Sequence, residues 1–245
     1  MSLAPAAAAL LAVMLAVVAS GCQSTQEKSA ELEKKGGRSF QEEGIDVKKA
    51  SKDVKVVASG VLSDENGAAA IAVLRNKTKR PLVKVPVSID VLGPKRKGKP
   101  VFSNTDPGLD PSLTGFGLIK PGQTVFWVHD QILATGKFGG VKVKPGQAAG
   151  KAPAKLPEIE VGPAKLVNDA TSGIAAEGKV TNKSDVLQRK LVIYGVARKG
   201  DEIVAGGRSL VEKLNPGKSA RYQIFFIGNP RGARIELAAP PTALE

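Results

Sequence analysis

Apolar and polar positions alternate most cleanly over residues 83–91, V-K-V-P-V-S-I-D-V, which puts Val83, Val85, Val87, Ile89 and Val91 on one face. A period of two is the signature of a half-buried strand. Pro86 falls on the opposite face and lacks an N–H, which predicts a sheet edge or a bulge there. Residues 70–74, 124–128, 191–196 and 221–226 are further runs of β type, broken off by Gly, Pro, Asn or Lys. From residue 54 onward helical periodicity fades and short runs recur every 8–12 residues or so, which predicts an all-β chain.

The same landmarks occur twice, in the same order. Asn76-Lys77-Thr78 is answered by Asn182-Lys183-Ser184 at an offset of 106 residues, and Ile119-Lys120-Pro121-Gly122 by Leu214-Asn215-Pro216-Gly217 at an offset of 95. Between them, strand residues 85–91 correspond to 191–196 and the basic loop 95–99 to Arg198-Lys199-Gly200. The smaller second offset marks an insertion in the first copy around 102–117. The pattern predicts two tandem β-sandwich domains, at 54–147 and 158–245. An Ala-, Gly-, Pro- and Lys-rich linker at 148–157 joins them.

The N-terminus bears on compartment. Residues 3–21 carry no charged side chain, and 10–18 read as the apolar core of an export signal. Ala19-Ser20-Gly21 then leads into Cys22, the only cysteine in the chain. This run resembles the lipobox of bacterial lipoproteins. The resemblance implies a signal peptide at 1–21, cleavage between Gly21 and Cys22, and lipid on Cys22. Each buried methylene contributes about 0.8 kcal/mol, so one acyl chain holds weakly and two or three hold firmly. The competing reading is an uncleaved anchor, for which about 20 apolar residues suffice. Residues 22–53 balance seven basic against seven acidic side chains around Gly36-Gly37, the composition of a flexible charged tether. Glu27, Glu31 and Lys35 leave room in it for a short helix over 26–35.

A second resemblance rests on the body of the chain. Gly178, Val180, Asn182 and Ser184 form G-x-V-x-N-x-S. An apolar strand ending at Lys199-Gly200 follows, then Leu214-x-Pro216-Gly217 and a closing aromatic strand. Over about 174–227 this is similar to the small immunoglobulin-like domains of bacterial lipoproteins, of the FxLYD type. The resemblance implies an extracytoplasmic, non-enzymatic module.

Candidate chemistry is sparse. With one cysteine and one histidine the chain can form no internal disulfide and no zinc site of paired cysteines and histidines. A catalytic triad could run only through His129, beside Asp130, and neighbouring residues on a strand point to opposite faces. No G-x-S-x-G elbow accompanies it. Asn104, Asp106 and Asp110 have oxygen ligands at short spacing, as a calcium loop does, but prolines interrupt them and the terminal glutamate is missing. Asn76 and Asn182 stand in N-K-T and N-K-S. Here the amide is expected to cap a turn by bonding backbone two residues on.

Charge gives the strongest functional pointer. Lys and Arg outnumber Asp and Glu by 36 to 23, and the excess is uneven: fourteen against six over 54–147, fifteen against ten over 148–245. Arg75, Lys77, Lys79 and Arg80 form one basic cluster, and Lys95, Arg96, Lys97 and Lys99 another. Together they are candidate polyanion-binding residues. Aromatic residues are 4% of the chain and are not interleaved with the charge, which disfavours nucleic acid. The expectation is a non-enzymatic cell-envelope lipoprotein without cofactor or metal. It is anchored on the outer side of the cytoplasmic membrane or in the outer membrane, and its basic loops contact an anionic envelope polymer. The alternative is an accessory subunit that contacts an envelope or secretion protein.

Overall fold

The computed structural model describes residues 45, 47–95, 99–106, 109–134, 136–169 and 173–245. The expected signal peptide, Gly21, Cys22, the 26–35 helix and most of the tether lie outside them, as do Arg96 and Lys97. The first half of the chain forms β1 (Val54–Asp64), β2 (Gly67–Asn76), β3 (Leu82–Leu92), β4 (Phe102–Ser103), β5 (Gly115–Ile119), β6 (Thr124–Ile132) and β7 (Gly140–Pro145). One turn of 3-10 helix, Pro111–Leu113, lies between β4 and β5. The second half forms β8 (Ile159–Val161), β9 (Lys165–Asp169), β10 (Gly173–Asn182), β11 (Gln188–Lys199), β12 (Glu202–Leu214), β13 (Ser219–Phe225), β14 (Ile227–Gly228) and β15 (Arg234–Ala238). The chain is all-β, as its periodicity predicts. No helix among the described residues is long and apolar enough to cross a membrane.

Each half builds two antiparallel sheets. In the first, β2 lies between β1 and β6, while β3 pairs with β4, β5 and β7. In the second, β10 pairs with β8, β9 and β13, and the other sheet runs β14-β12-β11-β15. The insertion takes the form of β4, the 3-10 turn and β5, standing where the second half has the single long strand β12.

Two strands break the half-buried rule. β2 is buried at every position from Gly67 to Leu74, and β11 from Leu191 to Ala197. A strand with one solvated face buries alternate residues, so burial of both faces requires a layer on each side. The core has this layering. One apolar cluster joins Leu74, Val85, Ile89 and Trp127 of the first half with Val192, Tyr194 and Val196 of β11. Leu191 and Ile193, on the other face of β11, enter a second cluster with Val180, Tyr222 and Ile224. The β2–β6 sheet therefore packs against the β11–β12 sheet, and the described residues all fall within one compact unit, Glu42–Glu245. Small residues permit the approach: Ala69 on the same face of β2 as Ile71, and Gly206 on β12, where a Cβ would lie 2.4 Å from Ile71 Cδ1.

Two sequence expectations are corrected here. β3 is a central strand, paired at Asp90 and Val91 to β4 and to β7, and its register is unbroken at Pro86. The proline is tolerated because its neighbour on one side asks only for an acceptor: the Gly146 N–H donates to the Pro86 carbonyl at 2.7 Å. The end of the charged tether is also not free. Val47 is buried, Ala50 bridges to Gly146, and the Ser51 N–H donates to the Pro145 carbonyl at 2.8 Å. An apolar side chain and open backbone groups beside β7 suffice to seat residues 47–53 on the first sandwich.

Candidate functional site

Asn76 and Asn182 are completely buried and do the same work in each half. Asn76 Oδ1 accepts from the Thr78 N–H at 2.8 Å and from Thr78 Oγ1 at 2.8 Å. Its Nδ2 donates to the carbonyls of Arg80 at 2.8 Å and Lys120 at 3.1 Å. Asn182 repeats this with Ser184 N–H, Ser184 Oγ and the carbonyls of Val186 and Leu214. The amide bonds backbone two residues on, as expected, and also ties the N-K-T or N-K-S turn to the strand end beside the Pro-Gly turn.

The histidine and its neighbour diverge, as strand geometry requires. His129 turns into the first core, with its ring centroid 4.6 Å from that of Phe102, and its buried Nδ1 has no hydrogen-bond partner. Burial, with a smaller contribution from the Arg208 charge, lowers its pKa to about 4, so the ring is neutral at pH 7. Asp130 points to the second half. Its Oδ2 accepts the Arg208 N–H at 2.8 Å, and Oδ1 lies 3.5 Å from Arg208 Nε. Burial raises the Asp130 carboxyl above its ordinary pKa, while Arg208 pulls against that rise. The two residues thus occupy different compartments and cannot form a relay.

The insertion serves the junction between the halves. Tyr194 OH donates to the Ser112 carbonyl at 3.2 Å, and Arg208 Nη1 donates to Ser112 Oγ at 3.3 Å. Asn104 is spent internally: Nδ2 donates to the carbonyls of Val87 and Leu113, both at 2.7 Å, and Oδ1 accepts the Ile89 N–H at 2.7 Å. Asp110 Oδ1 accepts the Ser112 N–H at 2.8 Å, and Asp106 is exposed. Asn104, Asp106 and Asp110 therefore do not converge as one ligand set. Among the described residues no three His, Cys, Asp or Glu side chains cluster to hold a metal.

The two basic clusters are not one patch. Arg75, Lys77, Lys79 and Arg80 lie at the turn that enters β3, whereas Lys95 and Lys99 follow its far end. The intervening strand, Leu82–Leu92, separates them by about 30 Å at roughly 3.3 Å per residue. The first cluster gains neighbours that the sequence did not join to it. Lys55 is the cross-strand partner of Arg75, both exposed, and Asn76 Nδ2 reaches the carbonyl of Lys120. One cation there is neutralised, Arg80, whose Nη2 lies 2.6 Å from Asp53 Oδ2. The equivalent end of the second half is more nearly balanced: Lys183, counterpart of Lys77, pairs with Glu160 at 3.1 Å, and Lys155 with Asp185 at 3.3 Å.

A cleft of about 760 Å³ opens where the halves meet. Val85, Phe116, Val192 and Tyr194 are its buried apolar lining, and exposed Lys84, Arg189, Lys190 and Glu212 stand around it. Lys84 and Lys190 are related by the 106-residue repeat, and they are the non-glycine residues with positive φ among those described, at 50° and 47°. The strand ladder skips each of them without changing register, opposite Gly117 and Glu212 respectively. The C-terminal residues Pro240 and Thr242 close one side. They are held by buried Gln188, whose Oε1 accepts the Thr242 N–H at 2.8 Å and whose Nε2 donates to the Ala243 carbonyl at 3.0 Å. Sequence reasoning missed this cleft. Its only trace was the repeat itself, which aligns the two lysines but does not say that they meet.

No protein-family model matches the chain, and no curated protein matches it.

Proposed function

We propose that this chain is a non-enzymatic binding or scaffolding module of the bacterial cell envelope. Lipid on Cys22 anchors it, and the basic end around Arg75 contacts an anionic envelope polymer. The observation that carries the second part is the direct cross-strand pairing of Lys55 with Arg75. Like charges facing each other across a ladder are destabilising. With Lys77 and Lys79 beside them they form an uncompensated cationic end, and a polyanion relieves that repulsion. The first part is supported by the Ala19-Ser20-Gly21-Cys22 run and by the FxLYD-type resemblance over 174–227.

Two measurements test the two parts separately. Mass spectrometry of the N-terminal peptide from the membrane fraction is expected to find diacylglycerol on Cys22. Cys22→Ser should leave the precursor unprocessed, and an intact N-terminus with a bare Cys22 in the wild type would make the segment an uncleaved anchor instead. For the second part, the chain should be retained on immobilised polyphosphate and released by salt. Reversing Lys55, Arg75 and Lys77 to glutamate should weaken retention by at least about 1 kcal/mol for each cation removed. Reversal of Lys95 and Lys99 should have much less effect. Retention indifferent to salt ends the polyanion reading, and recovery of one stoichiometric protein by envelope cross-linking favours an accessory subunit.

A further inference from the structure

The cleft between the halves combines an apolar floor, a cationic rim and two lysines of positive φ. Its floor is apolar and buried, formed by Val85 and Phe116 from the first half and by Val192 and Tyr194 from the second. Its size falls within the range of about 300–1,000 Å³ typical of small-molecule sites. The Tyr194 hydroxyl is already bonded to the Ser112 carbonyl, so the floor presents ring carbon rather than an unsatisfied polar group. Among the described lining residues the rim carries Lys84, Arg189 and Lys190 against the carboxylate of Glu212, a surplus of positive charge, although Asp110 is also close enough to Lys190 to feel its charge.

Two of those cations are held at a conformational cost. A side chain at φ near +50° is strained, and glycine takes that conformation freely. Lysine nevertheless occupies this position in both halves, at 84 and at 190, and both lysines line the same cleft. Strain repeated at equivalent positions and converging on one concavity points to use of the side chain rather than of the backbone.

We infer that this cleft binds a fatty-acid-like carboxylate, with the acyl chain on the apolar floor and the head group held by Lys84, Lys190 and Arg189. An elongated polyanion fits less well, because charge surrounds an apolar concavity with one carboxylate already on its rim. This site is separate from the basic end around Arg75 and does not depend on it.

The test is fluorescence titration of the full chain with 11-(dansylamino)undecanoic acid, and with its methyl ester as the uncharged control. One saturable site is expected for the acid, with affinity at least about tenfold weaker for the ester, since loss of a charge-assisted contact is felt on that scale. The double variant Lys84→Gly/Lys190→Gly should lose binding by a similar factor or more while melting at or above the wild-type temperature, because glycine suits that φ. Should the glycine variant fold poorly, Lys84→Gln/Lys190→Gln carries the same expectation for binding. Three results would overturn the inference: no saturable binding, equal binding of acid and ester, or unchanged binding in folded lysine variants. Displacement of the probe by hexaglutamate but not by dodecanoate would also overturn it, and would assign the cleft to acidic peptides.

Discussion

Replacing Asn76 or Asn182 by alanine is expected to destabilise the protein by about 4 kcal/mol, at roughly 1 kcal/mol for each hydrogen bond lost by the buried amide. Asn182 makes four such bonds, to Ser184 N–H, Ser184 Oγ, Val186 O and Leu214 O. Asn76 matches it at Thr78, Arg80 and Lys120, and adds the Ile119 carbonyl at 3.2 Å. The amide is itself completely buried and its removal leaves several partners unpaired at once, which is why the cost exceeds that of a surface turn. Aspartate is no substitute: it keeps the acceptor, loses both donors and buries a charge. Thr78→Ala, which removes one hydroxyl at a partly exposed site, should cost far less. Urea denaturation gives these differences directly. It should also show one transition for either asparagine variant, because the first core includes Val192, Tyr194 and Val196 from the second half. Two separated transitions would mean that the halves unfold independently.

The second large effect is acid sensitivity. His129 is neutral in the fold, with its pKa lowered to about 4 from 6.5 by burial. Below 6.5 the unfolded chain takes up a proton that the folded chain refuses, so stability is full above that pH and falls as pH drops towards 4. A difference of about 2.5 in pKa corresponds to about 3 kcal/mol. Asp110 adds to the loss further down. Burial raises its carboxyl, but the Ser112 hydrogen bonds and nearby Lys190 and Arg208 bring it below the ordinary value. Asp130 acts in the opposite sense: burial raises it, so the folded state gains that proton readily and recovers part of the loss. His129→Leu, similar in volume and without the unpartnered Nδ1, should flatten the profile between pH 6.5 and 4. Denaturation midpoints across that range decide it, and a variant as acid-sensitive as the wild type would refute the assignment.

How much was legible follows from which information is local. The strand at 83–91 was readable because a period of two with β-branched residues already specifies one buried face. The Asn turns were readable because the bond from Asn76 Oδ1 to the Thr78 N–H spans two residues. The repeat was readable because the turn chemistry recurs in order. Pro86 misled because the rule that sends proline to an edge assumes that each central residue needs its N–H, and here only the carbonyl is used. Whether the two basic clusters adjoin was not legible, because that depends on the path of the chain between them, and a strand of 11 residues holds them apart.

The runs A-A-A-I-A-V-L at 68–74 and L-V-I-Y-G-V-A at 191–197 carried a message the sequence reading did not use. Continuous apolar stretches in an antiparallel chain mean two buried faces, and hence a further layer. Which layer could not be read, since any apolar sheet face would satisfy the pattern.

By itself, then, the sequence determined the all-β class, the twofold repeat and the turns that end its strands, because those depend on periodicity and on bonds between near neighbours. Tertiary structure alone decided that the two halves share a core and that Lys84 and Lys190 meet at one cleft. Both depend on which sheet face lies against which, a choice made by fits such as that of Ile71 and Val128 against Gly206 and encoded in no single segment.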